Sequence, residues 1–168
     1  MDMQQWLAVT DAQALRFFFE RLKDVSDEAD DGELLYNASV LAHFATTSAG
    51  SDATFPAAPM DLASVFEVFV LDRSQHHDPE IMEAAASQCL LLTGFVGAQL
   101  RRRYNVDWYA ALGADFYDHA AQHSRERTRA RMLLRMAVRF GFWRRQQARL
   151  ADELRDQPFL IRPPDRPQ

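Results

Sequence analysis

The chain has 168 residues, of which 48% are hydrophobic, six are glycine and seven are proline. It is therefore of single-domain size, and its composition excludes a collagen-like, repetitive or disordered body. The formal charge of −5 is divided unevenly: residues 1–98 carry a net charge of −12 and residues 99–168 a net charge of +7. These two halves must face one another within the fold or present opposite surfaces to partners.

The cysteine content and the first residues bear on the cellular compartment. Cys89 is the single cysteine, so the chain cannot form an internal disulfide, which favours a reducing compartment. The first residues are acidic and lack the basic and apolar segments of a secretory signal. We therefore expect a cytoplasmic protein.

The spacing of apolar residues in the first half predicts three helices. Thr10 and Gln13 have the form of a capping box at the start of the first helix. The second helix follows an acidic stretch and ends near Ser48. After a loop at residues 49–59, the third helix spans residues 62–71, where Glu67 is an acid in an otherwise apolar segment.

The fourth predicted helix has the clearest start signal in the chain, Asp78-Pro79-Glu80, and extends to about Arg103. Residues 84–100 are apolar or small around the whole circumference, which is typical of a helix at the centre of a domain. A membrane span is the alternative interpretation. Seventeen residues that include Gln88 and Gln99 are short for that purpose, so we expect no membrane span.

The fifth predicted helix, from Trp108 to about His123, contains the sharpest chemical signal. Asp115, His119 and His123 lie on successive turns near its apolar side, a spacing that can offer ligands to Zn, Fe or Mn. A complete site needs other donors, of which Glu67 is the best candidate, and His76 and His77 could also reach the bundle end. The alternative is that these side chains are hydrogen-bonded without a metal. The chain has neither a paired Glu-x-x-His nor a His-Glu-x-x-His motif.

The sixth predicted helix runs from Ser124 to about Asp156 and is rich in arginine. One side is a continuous apolar stripe, and a second stripe carries Arg127, Arg131, Arg135, Arg139, Arg145 and Arg149. A basic helical face can bind phosphates, anionic lipid or an acidic protein. Since the whole chain is acidic and has no nucleic-acid-binding signature, intramolecular or subunit pairing with the acidic half is favoured over nucleic acid.

These features predict an all-α, single-domain bundle of five to six helices with a long Arg-rich C-terminal helix. The bundle occupies residues 1–157, with the third and fourth helices at its centre, and an extended Pro-rich tail covers residues 158–168.

For function, we expect a non-enzymatic interaction or scaffold protein that self-associates as a homodimer or binds an acidic protein partner. The alternatives are a metal-dependent helical-bundle enzyme that uses Asp115, His119 and His123, and arginine-mediated binding of nucleic acid or another polyanion. No phosphate-binding loop or serine nucleophile motif is present, and so no catalytic residue is assigned.

Overall fold

The computed structural model describes residues 3–26, 28–50 and 76–156. Within these ranges the chain is all-α and forms no strand, which confirms the predicted fold class. The third predicted helix, with Glu67, and the Pro-rich tail lie outside the described residues. The described helices are α1 (Met3–Val25), α2 (Asp31–Gly50), α3 (Pro79–Thr93), α4 (Gly97–Leu100), α5 (Val106–His123), α6 (Arg127–Val138) and α7 (Phe140–Asp156).

The helices pack mainly against others that are close in the chain, around a large apolar core. The most extensive pairs are α1 with α2, α3 with α5, and α5 with α6, while α7 contacts α1 and α3. Helix α3 supplies Met82, Ala85, Cys89 and Leu90 to the core, each of them inaccessible to solvent. No helix in the described ranges is long and apolar enough to cross a membrane.

Helix α3 begins where the sequence indicates and ends before the predicted position. The carboxylate of Asp78 accepts hydrogen bonds from the backbone N–H groups of Glu80 (3.0 Å) and Ile81 (3.3 Å). The helix ends at Thr93, and a turn at Gly94 leads into the short helix α4. A Cβ on Gly94 would lie 3.0 Å from the carbonyl oxygen of Arg144, because the backbone of α7 passes close by.

The long C-terminal helix is divided at Arg139 into α6 and α7. Arg139 N–H still donates to the carbonyl of Arg135 (2.8 Å), and Trp143 N–H donates to the carbonyl of Arg139 (3.0 Å). Hydrogen bonding therefore continues through the break, although Arg139 has a ψ of 18°. Beyond the break, the side chains of Phe140 and Trp143 are buried in the core.

Candidate functional site

A buried polar seam joins α2 to α7 and occupies part of the arginine stripe. The carboxylate of Glu33, whose side chain is only 5% exposed, accepts a hydrogen bond from Arg139 Nε at 2.7 Å. The same oxygen, Oε1, accepts another from the indole N–H of Trp143 at 3.1 Å. Deeper in the seam, the side-chain amide of Gln147 donates to Asn37 Oδ1 at 3.1 Å. Glu33 is therefore compensated by charge and by hydrogen bonding, as a buried carboxylate requires.

Other arginines of the C-terminal half also bind carboxylates. Arg135 pairs with Asp30 at 3.0 Å, and Arg129 Nε donates to Glu83 Oε2 at 3.1 Å. Two arginines of the predicted stripe, Arg135 and Arg139, thus bind acids of the N-terminal half. The charge segregation seen in the sequence is partly compensated inside a single chain.

The first turns of α6 are different. Within the described ranges, neither Arg127 nor Arg131 has a carboxylate within the 4.0 Å of an ion pair, and both are exposed. Beside them, Leu134 is 49% exposed and Val138 is 79% exposed. Cations and apolar side chains therefore share one solvent-facing surface of α6. Arg145, another arginine of the predicted stripe, is also exposed but lies on α7.

Helix α5 lies alongside this surface and contributes acids. Residues 124–126 join α5 to α6, and such a short connection makes the two helices an antiparallel pair. A shallow groove of about 310 Å³ between them is lined by Asp118 and Gln122 from α5 and by Arg127, Arg131 and Leu134 from α6. We define the hairpin face as eight residues on one side of the two helices: Ala111, Asp115, Asp118 and Gln122 of α5, and Arg127, Arg131, Leu134 and Val138 of α6. Asp118 is half-buried and the other seven are exposed.

Four histidines gather where the turn before α3 meets the C-terminal end of α5. His76 packs edge-to-face on His119, with ring centroids 5.3 Å apart. The rings of His77 and His123 are 5.1 Å apart, and His77 Nδ1 lies 3.2 Å from His123 Nε2. The sequence placed His119 and His123 on one face of a helix, and it identified the His76-His77 turn as able to reach a bundle end. The direct contact between His77 and His123 depends on how α3 docks on α5.

The predicted Asp115, His119 and His123 ladder has an unexpected arrangement. His119 Nδ1–H donates to the backbone carbonyl of Asp115 at 2.8 Å, and His123 Nδ1–H donates to the carbonyl of His119 at 2.9 Å. The ladder is thus linked through backbone oxygens. Among the residues that the structure describes, no group of three or more His, Cys, Asp or Glu is arranged to hold a metal ion.

An open groove of about 720 Å³ adjoins the His77–His123 pair. Both signs of charge line its walls: Asp78, Glu80, Glu83 and Glu126 are the acids, and Arg125 and Arg129 are the arginines. It is more polar than the surface along α6 and lies at the opposite end of that helix from Val138. Two histidines and side chains of both charges therefore line one groove.

A tyrosine network extends from this groove into the core. Tyr36 O–H donates to Glu83 Oε1 at 2.9 Å, and the hydroxyl oxygens of Tyr36 and Tyr117 are 3.3 Å apart. Burial raises the pKa of both phenols well above their ordinary value of 10.0. Burial also raises the pKa of the Cys89 thiol from 9.0 to about 12, so this thiol is poorly suited to act as a nucleophile.

Comparison with known proteins gives no functional assignment. A scan against protein-family models and searches of curated proteins and of solved structures find no match to the chain. Any function must therefore be argued from the surfaces and side-chain clusters described above.

Proposed function

We propose that this protein acts by association, as a homodimer formed through the hairpin face. The observation that carries the proposal is a pair of exposed arginines, Arg127 and Arg131, beside the exposed side chains of Leu134 and Val138. Among the described residues, no carboxylate forms an ion pair with either arginine. Arginine stems lie readily along apolar surfaces while their guanidinium groups bind carboxylates. A protein surface that offers apolar contact and acids is the matching partner.

A second copy of the chain can offer such a surface because the hairpin face carries both signs of charge. Asp115 and Asp118 lie on α5, and Arg127 and Arg131 lie on α6. A two-fold axis parallel to the helices would place α6 of one protomer over α5 of its partner. Because the two helices are antiparallel, Arg131 would then meet Asp118 of the second copy.

The same rotation also covers the apolar end of the surface. Val138 would pack near Ala111 of the second copy, and Leu134 would be covered at the centre of a four-helix contact. Removing apolar side chains from water contributes about 25 cal/mol per Å² of buried area. The apolar end would supply the affinity, whereas the paired charges would set the register and exclude wrong partners.

The pairing pattern of the arginines favours this role over binding of a polyanion. Arg129, Arg135 and Arg139 are neutralised by carboxylates of the same chain. Affinity for nucleic acid comes largely from the number of phosphates that free cations neutralise. Of the six stripe arginines, Arg135 and Arg139 are therefore already neutralised, and Asp118 of α5 lines the same groove as Arg127 and Arg131.

The proposal is tested by light scattering coupled to gel filtration. The wild-type protein is expected to have the mass of a dimer, and Arg131→Glu is expected to dissociate it by placing like charges opposite each other twice. The double variant Arg131→Glu with Asp118→Arg exchanges the two charges and is expected to restore the dimer. Arg102→Glu, the same change at an exposed arginine outside the hairpin face, is the matched control.

Two results would contradict the proposal. A wild-type mass of one chain at high protein concentration would exclude the homodimer. A dimer that persists in Arg131→Glu, or that is lost equally in Arg102→Glu, would show that the hairpin face is not the interface.

A further inference from the structure

We infer that His77 and His123 form a binding site for a divalent transition-metal ion of the zinc type. The two side chains come from different elements, the turn before α3 and the last turn of α5, and their ring nitrogens converge at the edge of the open groove. This site lies away from the hairpin face and does not depend on the proposed dimer.

The hydrogen bonds of His123 fix which of its nitrogens can bind a metal. A carbonyl oxygen can only accept, so Nδ1, at 2.9 Å from the carbonyl of His119, must carry the proton. In the neutral ring, Nε2 then has a free lone pair and points at His77. Metal-ligating histidines are commonly oriented in this way, with the second ring nitrogen donating to a backbone carbonyl.

The separation of the two nitrogens suits ligands of one metal ion. Zinc binds histidine nitrogen at about 2.0–2.1 Å, so two such ligands lie about 2.9 Å apart at a right angle and about 3.4 Å apart in a tetrahedron. His77 Nδ1 and His123 Nε2 are 3.2 Å apart. Without a metal, His77 Nδ1–H donates to His123 Nε2. With a metal, the His77 proton resides on Nε2, so binding needs a change of tautomer and a tilt of the rings that directs both lone pairs at the ion.

The surroundings of the pair favour a cation and leave room for its other ligands. The adjoining groove has four carboxylates against two guanidinium groups, which gives a net negative charge when its histidines are neutral. Since the groove is open, water can complete the coordination shell. Imidazole ligands select zinc, copper, nickel or iron over the alkaline-earth cations.

The test is calorimetric titration of zinc chloride into protein that carries no affinity tag and has been treated with a chelator. Wild type is expected to bind one Zn²⁺ per chain through this pair. His77→Gln and His123→Gln are each expected to weaken binding at least tenfold, because each removes one of the two protein ligands. His43→Gln, which changes an exposed histidine on α2, is the matched control and is expected to bind like wild type.

Circular dichroism of each variant establishes that the fold is kept, which is expected since His77 is exposed and His123 is only half-buried. Absence of zinc binding by the wild type would overturn the inference. Equal affinity in wild type and in folded His123→Gln would also overturn it. A visible-absorption titration with Co²⁺ gives an independent readout. Both glutamine variants are expected to lose the absorption bands that Co²⁺ shows when histidine nitrogens coordinate it.

Discussion

Arg139 and Arg131 lie on the same arginine stripe, eight residues apart, yet their surroundings differ. Arg139 is bound to a carboxylate that is 5% exposed, and its own side chain is 34% exposed. Arg131 faces solvent beside Leu134, with no carboxylate within ion-pair distance in the described structure. One arginine belongs to the buried seam that joins α2 to α7, and the other belongs to the hairpin face.

The difference shows that neighbouring helices, more than the i, i+4 pattern, decide what an arginine does. The acids at the start of α2, Asp30 and Glu33, reach the C-terminal half of α6 and the break at Arg139. Arg127 and Arg131 lie beside α5, and Asp118 of that helix lines the same groove. Asp118 does not come within ion-pair distance of either arginine. A single sequence stripe therefore contributes to folding at Arg135 and Arg139 and stays exposed to solvent at Arg127 and Arg131.

The largest expected effect is the loss of stability of the buried region at alkaline pH. Burial raises the pKa of Tyr36, Tyr117 and Cys89 above the values these groups have in an unfolded chain. The unfolded state therefore loses protons first. The contribution of these three groups to the free energy of unfolding is fully present below about pH 8 and is lost as the pH rises further. Urea unfolding between pH 8 and 11 measures this loss, and Tyr36→Phe should make it less steep. A free energy that stays constant to pH 11 would contradict the prediction.

Removing Arg139 should produce the next largest effect. In Arg139→Met, Glu33 would remain buried with only the indole N–H of Trp143 as a partner, at a cost of about 3 kcal/mol in the free energy of unfolding. Arg131→Met is the matched control and, at a protein concentration low enough for the chain to be monomeric, should change the free energy by less than about 0.5 kcal/mol. Urea unfolding at pH 7 measures both.

A second substitution separates loss of charge pairing from loss of packing. Adding Glu33→Gln to Arg139→Met removes the uncompensated charge while keeping an acceptor for Trp143, so part of the stability should return. Equal losses in Arg139→Met and Arg131→Met would mean that the seam is no more important to folding than the hairpin face.

The features that the sequence predicts correctly depend on local chemistry. Asp78 and Pro79 start α3 through a cap that involves only neighbouring residues, and the apolar spacing indicates an all-α fold. The turn at Gly94, where α3 ends, lies against the backbone of α7, which is fifty residues away in the chain. Helical periodicity carries no information about such an approach.

The same reasoning applies to the candidate sites. Spacing placed His119 and His123 on one face, because that depends on the helix alone. It could not indicate that His77 contacts His123, since this depends on tertiary docking of α3 on α5. It also could not separate Arg139 from Arg131, because the position of Glu33 against the break determines which arginine is paired.

Two glycines, one buried on α5 and one exposed on α7, should give smaller effects of opposite sign. Gly113 lies on the inner side of α5, where an added Cβ would be 2.6 Å from Cys89 Cβ and 2.7 Å from Phe140 Cζ. Gly113→Ala should therefore lower the free energy of unfolding by about 1–3 kcal/mol, because either α3 or the start of α7 must move to admit the methyl group.

Gly141→Ala is the counterpart, because an added Cβ on this exposed glycine would meet only the Arg145 guanidinium, at 3.5 Å. It should raise the free energy of unfolding by about 0.5–1 kcal/mol, since alanine loses less conformational entropy in a helix. Urea unfolding of the two variants should give opposite signs. If Gly113→Ala also stabilised the protein, α5 could not be packed against Cys89 and Phe140 as closely as described, and the division of α5 into a buried and a solvent-facing side would lose its basis.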